Sequence, residues 1–132
     1  MSTVRREIVL PVERERAWEL LTEPAELSEW LADDVDLLAE EGAPLRVEWA
    51  NGDARAGVVE EVEELHRLRF RWDDDATGIP SRVEWTLEDA PGGIRVLVEE
   101  RPLVPIELPG GWRPRATEVT ALAQVAMLAC AR

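Results

Sequence analysis

Ile8-Val-Leu-Pro-Val-Glu-Arg-Glu-Arg-Ala-Trp-Glu-Leu-Leu-Thr-Glu-Pro-Ala-Glu-Leu-Ser-Glu-Trp30 decides the fold, because it holds a strand, a stop and two helices in 23 residues. Val4, Ile8 and Leu10 share one strand face, broken at Arg6, and Pro11 removes a backbone donor and ends the ladder. A strand closed in this way suits the edge of a sheet. Ala17, Trp18, Leu20 and Leu21 then cluster with helical spacing. Thr22-Glu-Pro24 restarts the chain as a second helix with proline early in it, and Leu27, Trp30 and Leu31 form its apolar face.

Downstream the period changes from helical to two, the pattern of a sheet with one buried and one wet face. Leu45, Val47 and Trp49 alternate with Arg46 and Glu48, and Asn51-Gly52-Asp53 supplies a hairpin turn. In Arg67-Leu-Arg-Phe-Arg-Trp72 the apolar residues Leu68, Phe70 and Trp72 oppose three arginines. Val83, Trp85 and Leu87 repeat the pattern, Ala90-Pro-Gly-Gly93 turns, and Ile94, Val96 and Val98 return. Gly57 to Leu65 is expected to pair with the Arg-rich strand through a turn near His66, and a weaker strand runs from Val35 to Ala39. Pro102 to Gly111 reads as a loop, and after Pro114 the chain reads as a helix, apolar on more than one side, to its end. A strand, a helix pair, a run of antiparallel strands and a long terminal helix describe an α+β fold whose curved sheet grips a helix.

A chain of 132 residues with 45% hydrophobic and 33% charged residues fits one domain, residues 1–132, with a single core. No apolar leader or span is apparent, so neither export nor membrane insertion is expected. Net charge is −13, from 28 acidic against 15 basic side chains, and nucleic acid and anionic membranes are disfavoured as partners. The one cysteine, Cys130, cannot form an internal disulfide, which fits a cytoplasmic location.

The motifs Leu10-Pro-Val-Glu-Arg-Glu-Arg-Ala-Trp18, Leu21 to Trp30, Gly57-Val-Val-Glu-Glu-Val with Leu68 to Trp72, and Ser81 to Glu88 with Pro91-Gly-Gly93 are similar to the START-like or SRPBCC superfamily. Within it the chain most resembles the AHSA-like family, named after an activator of a heat-shock chaperone ATPase. The resemblance runs from about Val4 to Glu100. It implies the helix-grip (Bet v-type) fold: a curved antiparallel sheet of about seven strands, two short N-terminal helices, and a long C-terminal helix enclosing a cavity. The chain departs from the family's pattern after Gly111-Trp112, where Arg113-Pro114 and an alanine-rich segment follow. Through its name the family also implies a chaperone-associated role in the stress response, and at superfamily level a polyketide cyclase or hydratase activity.

Residues that could carry chemistry are few. His66 is the single histidine, at a turn, with no serine in a nucleophile context, so no catalytic triad is expected. His66 and Cys130 fall short of a transition-metal ligand set, and no cofactor or metal is expected. Asp33-Asp34 and Asp73-Asp-Asp75 lack the spacing of a calcium loop. In Glu60-Glu61-Val62-Glu63-Glu64, outward Glu61 and Glu63 suit cross-strand pairing with Arg69 and Arg71, whereas Glu60 falls on the parity of Val58 and Val62 and points inward unless a β-bulge intervenes. Glu100 continues the inward parity of Ile94, Val96 and Val98.

Trp49, Trp72 and Trp85 share inward parity, a large aromatic share of one concave face, suited to core packing or to the walls of a ligand cavity. The expected function is binding of a small apolar or amphipathic ligand between sheet and terminal helix, without catalytic residues. The candidate cavity residues are Trp49, Glu60, Phe70, Trp72, Trp85, Val96, Glu100 and Trp112. Four apolar side chains on the proline-stiffened loop, Leu103, Val104, Ile106 and Leu108, predict a pocket rim or a homodimer contact.

Overall fold

The computed structural model of the chain describes residues 3–104. In order they form β1 (Val4–Leu10), α1 (Arg14–Thr22), α2 (Pro24–Trp30), β2 (Asp34–Asp36), β3 (Pro44–Glu48), β4 (Ala54–Glu63), β5 (Arg67–Asp74), β6 (Pro80–Ala90) and β7 (Gly93–Pro102). The strands make one antiparallel sheet in the order β1-β7-β6-β5-β4-β3-β2. This curled sheet with its helix pair is an α+β helix-grip architecture. Trp112, Cys130 and the helix expected after Pro114 lie outside the described residues, as does most of the proline-rich loop. Of that loop, Pro102 ends β7, and Leu103 and Val104 are half-buried.

β1 is an edge strand, as Pro11 requires, but it is regular through Arg6, which lies opposite Val98. β2 is shorter than the expected Val35–Ala39, and β4 begins at Ala54, three residues before Gly57. Trp49 falls one residue beyond β3 yet keeps its inward direction.

The helix pair is fixed by local chemistry. Glu15 in the first turn of α1 suits the positive end of the helix dipole. Glu23 ends α1 and begins α2, and Pro24 follows at a position where its missing N–H costs nothing. Trp30 Nε1 donates to Leu20 O over 2.8 Å, tying the helices together. Ala17, Leu20, Leu21 and Leu27 pack into the core formed by the concave face of the sheet. On that face Leu68, Phe70, Trp72, Val83, Trp85 and Val96 have no exposed surface, and burial of each such side chain contributes about 1.5–3 kcal/mol.

Arg14 staples α1 to the far ends of the hairpins. Its Nη1 donates to Leu65 O over 2.9 Å and to Leu87 O over 3.3 Å, and its Nη2 donates to Asp89 Oδ1 over 2.7 Å. Leu65 adopts φ +68°, a left-handed conformation strained for leucine, in the turn between β4 and β5.

Candidate functional site

Five rings form a continuous series on the concave side, three of their four contacts edge to face and the Trp30–Trp85 contact tilted at 50°. Trp49 lies 6.3 Å from Trp72, Trp72 5.0 Å from Phe70, Phe70 5.2 Å from Trp85, and Trp85 5.7 Å from Trp30, centroid to centroid. These separations and tilts are those aromatic quadrupoles favour. The indole donors differ in their partners. Trp49 Nε1 donates to Leu31 O over 3.0 Å, whereas the buried Trp85 Nε1 has no acceptor among the described residues.

At one end of this array a polar cluster sits inside the apolar face. Glu100 is fully buried, and its Oε2 accepts from Ser81 Oγ at 2.7 Å, Trp72 Nε1 at 2.9 Å and Arg55 Nη1 at 2.9 Å. Arg55, only 2% exposed, also pairs with Asp74 across 3.4 Å and lies 5.2 Å from the centre of the Trp72 ring. Sheet register explains the meeting. Arg55 lies opposite Asp74, Trp72 opposite Ser81, and Glu100 opposite Val83, so four neighbouring strands deliver their ends to one place.

The structure therefore brings together Trp49, Phe70, Trp72, Trp85 and Glu100, with Val96 buried on the same face of β7. Glu60 is a correction. Up to Val59 the inward residues of β4 are odd-numbered, and a bulge between Val59 and Glu61 then sets both Glu60 and Glu61 against Arg69 on the convex face. Val58 faces outward with Glu60 and is itself exposed, and only beyond the bulge does Val62 recover the inward side, so the apolar neighbours of Glu60 do not share one face. The Glu60 carboxylate instead accepts from Arg82 Nε at 2.7 Å and Nη2 at 3.1 Å. These bonds, with the nearby charges of Arg69 and Arg71, lower its pKa below the ordinary 4.5 against the opposing effect of burial. The same bulge refines the expected pairings. Glu61 meets Arg69 at 3.1 Å, but Glu63 meets Arg67 at 3.7 Å rather than Arg71.

Arg55 and Ser81 belong to the site although sequence reasoning passed over both. Ser81 shares parity with Val83 and Trp85, a signal that could have found it. A strand expected to begin at Gly57 leaves Arg55 outside it, so the alternation assigns Arg55 no direction, whereas β4 begins at Ala54. His66 is exposed in the β4–β5 turn, its Nδ1 3.4 Å from Arg14 Nη1. Among the described residues no group of three or more His, Cys, Asp or Glu side chains is placed to hold a metal ion.

A curled antiparallel sheet with paired N-terminal helices and an aromatic concave face defines a protein of the START-like, SRPBCC class. More narrowly, the chain belongs to the Activator of Hsp90 ATPase homolog 1-like protein family, whose model matches residues 11–122. No curated protein sequence matches it. Among solved structures it is similar to a Chromobacterium violaceum protein at 22% identity and TM-score 0.80, with 96% of each chain covered. A Mesorhizobium loti protein gives 22% identity and TM-score 0.77, again with 96% of each covered. DynU16 of the dynemicin biosynthetic locus gives 24% identity and TM-score 0.78, over 96% of this chain but 46% of its own. This chain thus spans about half the length of DynU16, and identities at this level establish likeness of fold alone.

Proposed function

We propose that this protein binds a small amphipathic molecule on the concave side, its polar end at the Arg55–Glu100 pair and its apolar body against the Phe70, Trp72 and Trp85 rings, which have no exposed surface in this state and are uncovered as the ligand enters. The observation that carries the reading is the complete burial of a guanidinium–carboxylate pair within an apolar aromatic surface. Such a pair is expensive to desolvate, and apolar residues of similar volume commonly serve stability as well or better. A ligand with polar groups gives the pair a use that packing does not. Trp85 supplies a second handle, a buried N–H able to meet a ligand acceptor.

Membership of the family and the fold support a ligand-binding or cyclase-like protein in general terms. A docking role for a chaperone rests on the family's name. A broad apolar patch would favour it, but the exposed large apolar side chains among the described residues are Val9, Leu38 and Val58, on separate elements.

Native mass spectrometry of protein purified from its own host tests the proposal. A retained small molecule in wild type, lost from Glu100→Gln while the variant stays folded, is the expected result. Protein that carries no adduct and takes up no amphipathic fluorescent probe would overturn it.

A further inference from the structure

A second concavity lies at the other end of β4, away from Arg55. It is a groove of about 410 Å³ bounded by the α1–α2 junction, the β2–β3 connection and the last residues of β4. Trp18, Leu37, Leu38 and Val62 give it an apolar floor. Leu38 is 57% exposed, the most exposed large apolar side chain among the described residues, and it stands beside this groove. The rim carries Glu23, Glu40 and Glu64, each from a different segment, together with Glu19. Glu19 has a cation at hand, Arg16 at 3.6 Å. Among the described residues no arginine lines the groove, and the chain contains no lysine.

We propose that this groove binds a small amphipathic cation, a protonated amine carried on an apolar body. Apolar floor and carboxylate rim together select the chemistry. A neutral hydrocarbon would leave three or four carboxylates facing it without compensation, and an anion would be repelled. A cation with an apolar tail covers Leu38 and places its charge among the glutamates. Size selects a small molecule over a protein. The volume lies in the range of small-ligand sites, roughly 300–1,000 Å³, while a stable protein interface buries roughly 800 Å² on each partner, usually around a larger apolar centre than one leucine. The inference is independent of the concave-face reading, since the two sites share no residue.

n-Octylamine serves as the probe, with n-octanol and n-octanoate as neutral and anionic controls of the same length, and binding is followed by amide and indole NMR shifts. Saturable shifts centred on Trp18, Leu38 and Val62 are expected with octylamine, weaker ones with octanol, and none with octanoate. In Glu23→Gln plus Glu64→Gln, affinity for octylamine should fall about fivefold at low salt, as for two exposed charge pairs. That difference should shrink as salt is raised. Glu100→Gln should leave octylamine binding unchanged. Equal binding of the three probes, shifts centred elsewhere, or an affinity indifferent to both glutamates would overturn the proposal, as would binding of a lysine-bearing apolar peptide in the absence of any octylamine binding.

Discussion

Arg55 lies over the Trp72 ring at 5.2 Å, and the Arg55 guanidinium and the Trp72 indole donate to the same oxygen of Glu100, each across 2.9 Å. The two donors therefore share one acceptor while attracting each other through charge and ring face. Losing either changes the surroundings of the other.

Arg55→Met should consequently be among the most damaging single changes. It removes the Arg55 guanidinium from the buried Glu100, and removing one member of such a pair costs about 3–5 kcal/mol. Arg55→Met with Glu100→Leu should recover much of that loss, because the buried carboxylate that Arg55 faced is then removed as well. Urea unfolding of both variants checks this. A single variant as stable as wild type would show that Arg55 contributes nothing to the state of Glu100.

Cross-strand parity made the sheet legible where strands are regular. Leu68, Phe70, Trp72, Val83, Trp85, Val96 and Glu100 all face the direction their alternation dictates, because a pleated strand has no other choice. Glu60 points outward because Val58, whose parity it shares, is itself outward, and a bulge after Val59 brings Val62 back inward so that the two valines face opposite sides; no residue in Val58 to Val62 announces the bulge. Arg55 has no signal in the sequence, for a different reason. An arginine two residues after a turn reads as a wet strand end, and its burial becomes intelligible only when Glu100 and Asp74, distant in sequence, are known to meet it.

The Glu60–Arg82 pair on the convex face should make stability pH-dependent in a definite direction. Its bonds to Arg82 hold the Glu60 pKa below 4.5, so protons bind more readily to the unfolded chain. The contribution is fully present above the unfolded pKa and is lost as pH falls through the lower folded one. Glu60→Gln should therefore be less stable than wild type at neutral pH by about 0.5–1 kcal/mol, the scale of a half-exposed pair. The gap should narrow below about pH 4.5 and not above it. Denaturation of both proteins across pH 3–7 decides the matter, and a constant difference would refute the linkage.

Arg14 offers a contrast between buried and exposed partners. Arg14→Met should cost about 1–3 kcal/mol, since it strips a donor from the Leu65 and Leu87 carbonyls and frees the strained turn at Leu65. Asp89→Asn should stay within about 0.5 kcal/mol, because the Asp89 side chain is 89% exposed and its ion pair with Arg14 is largely screened. Thermal unfolding ranks the two. Equal effects would mean that the staple works through Asp89.

Gly57 links the family's sequence pattern to the site. It lies opposite Trp72, where β4 and β5 run so close that an added Cβ would sit 1.8 Å from Arg71 O and 2.6 Å from Trp72 Cα. Both obstacles are backbone atoms, so no rotamer change can clear them. Gly57→Ala should cost about 3 kcal/mol, at the upper end of overpacking effects. It should also push Trp72 away from Glu100, altering near-ultraviolet circular dichroism even where the variant remains folded. Wild-type stability and an unchanged aromatic spectrum in Gly57→Ala would show that the strands can separate there without disturbing the indole, and that Gly57 does not position Trp72.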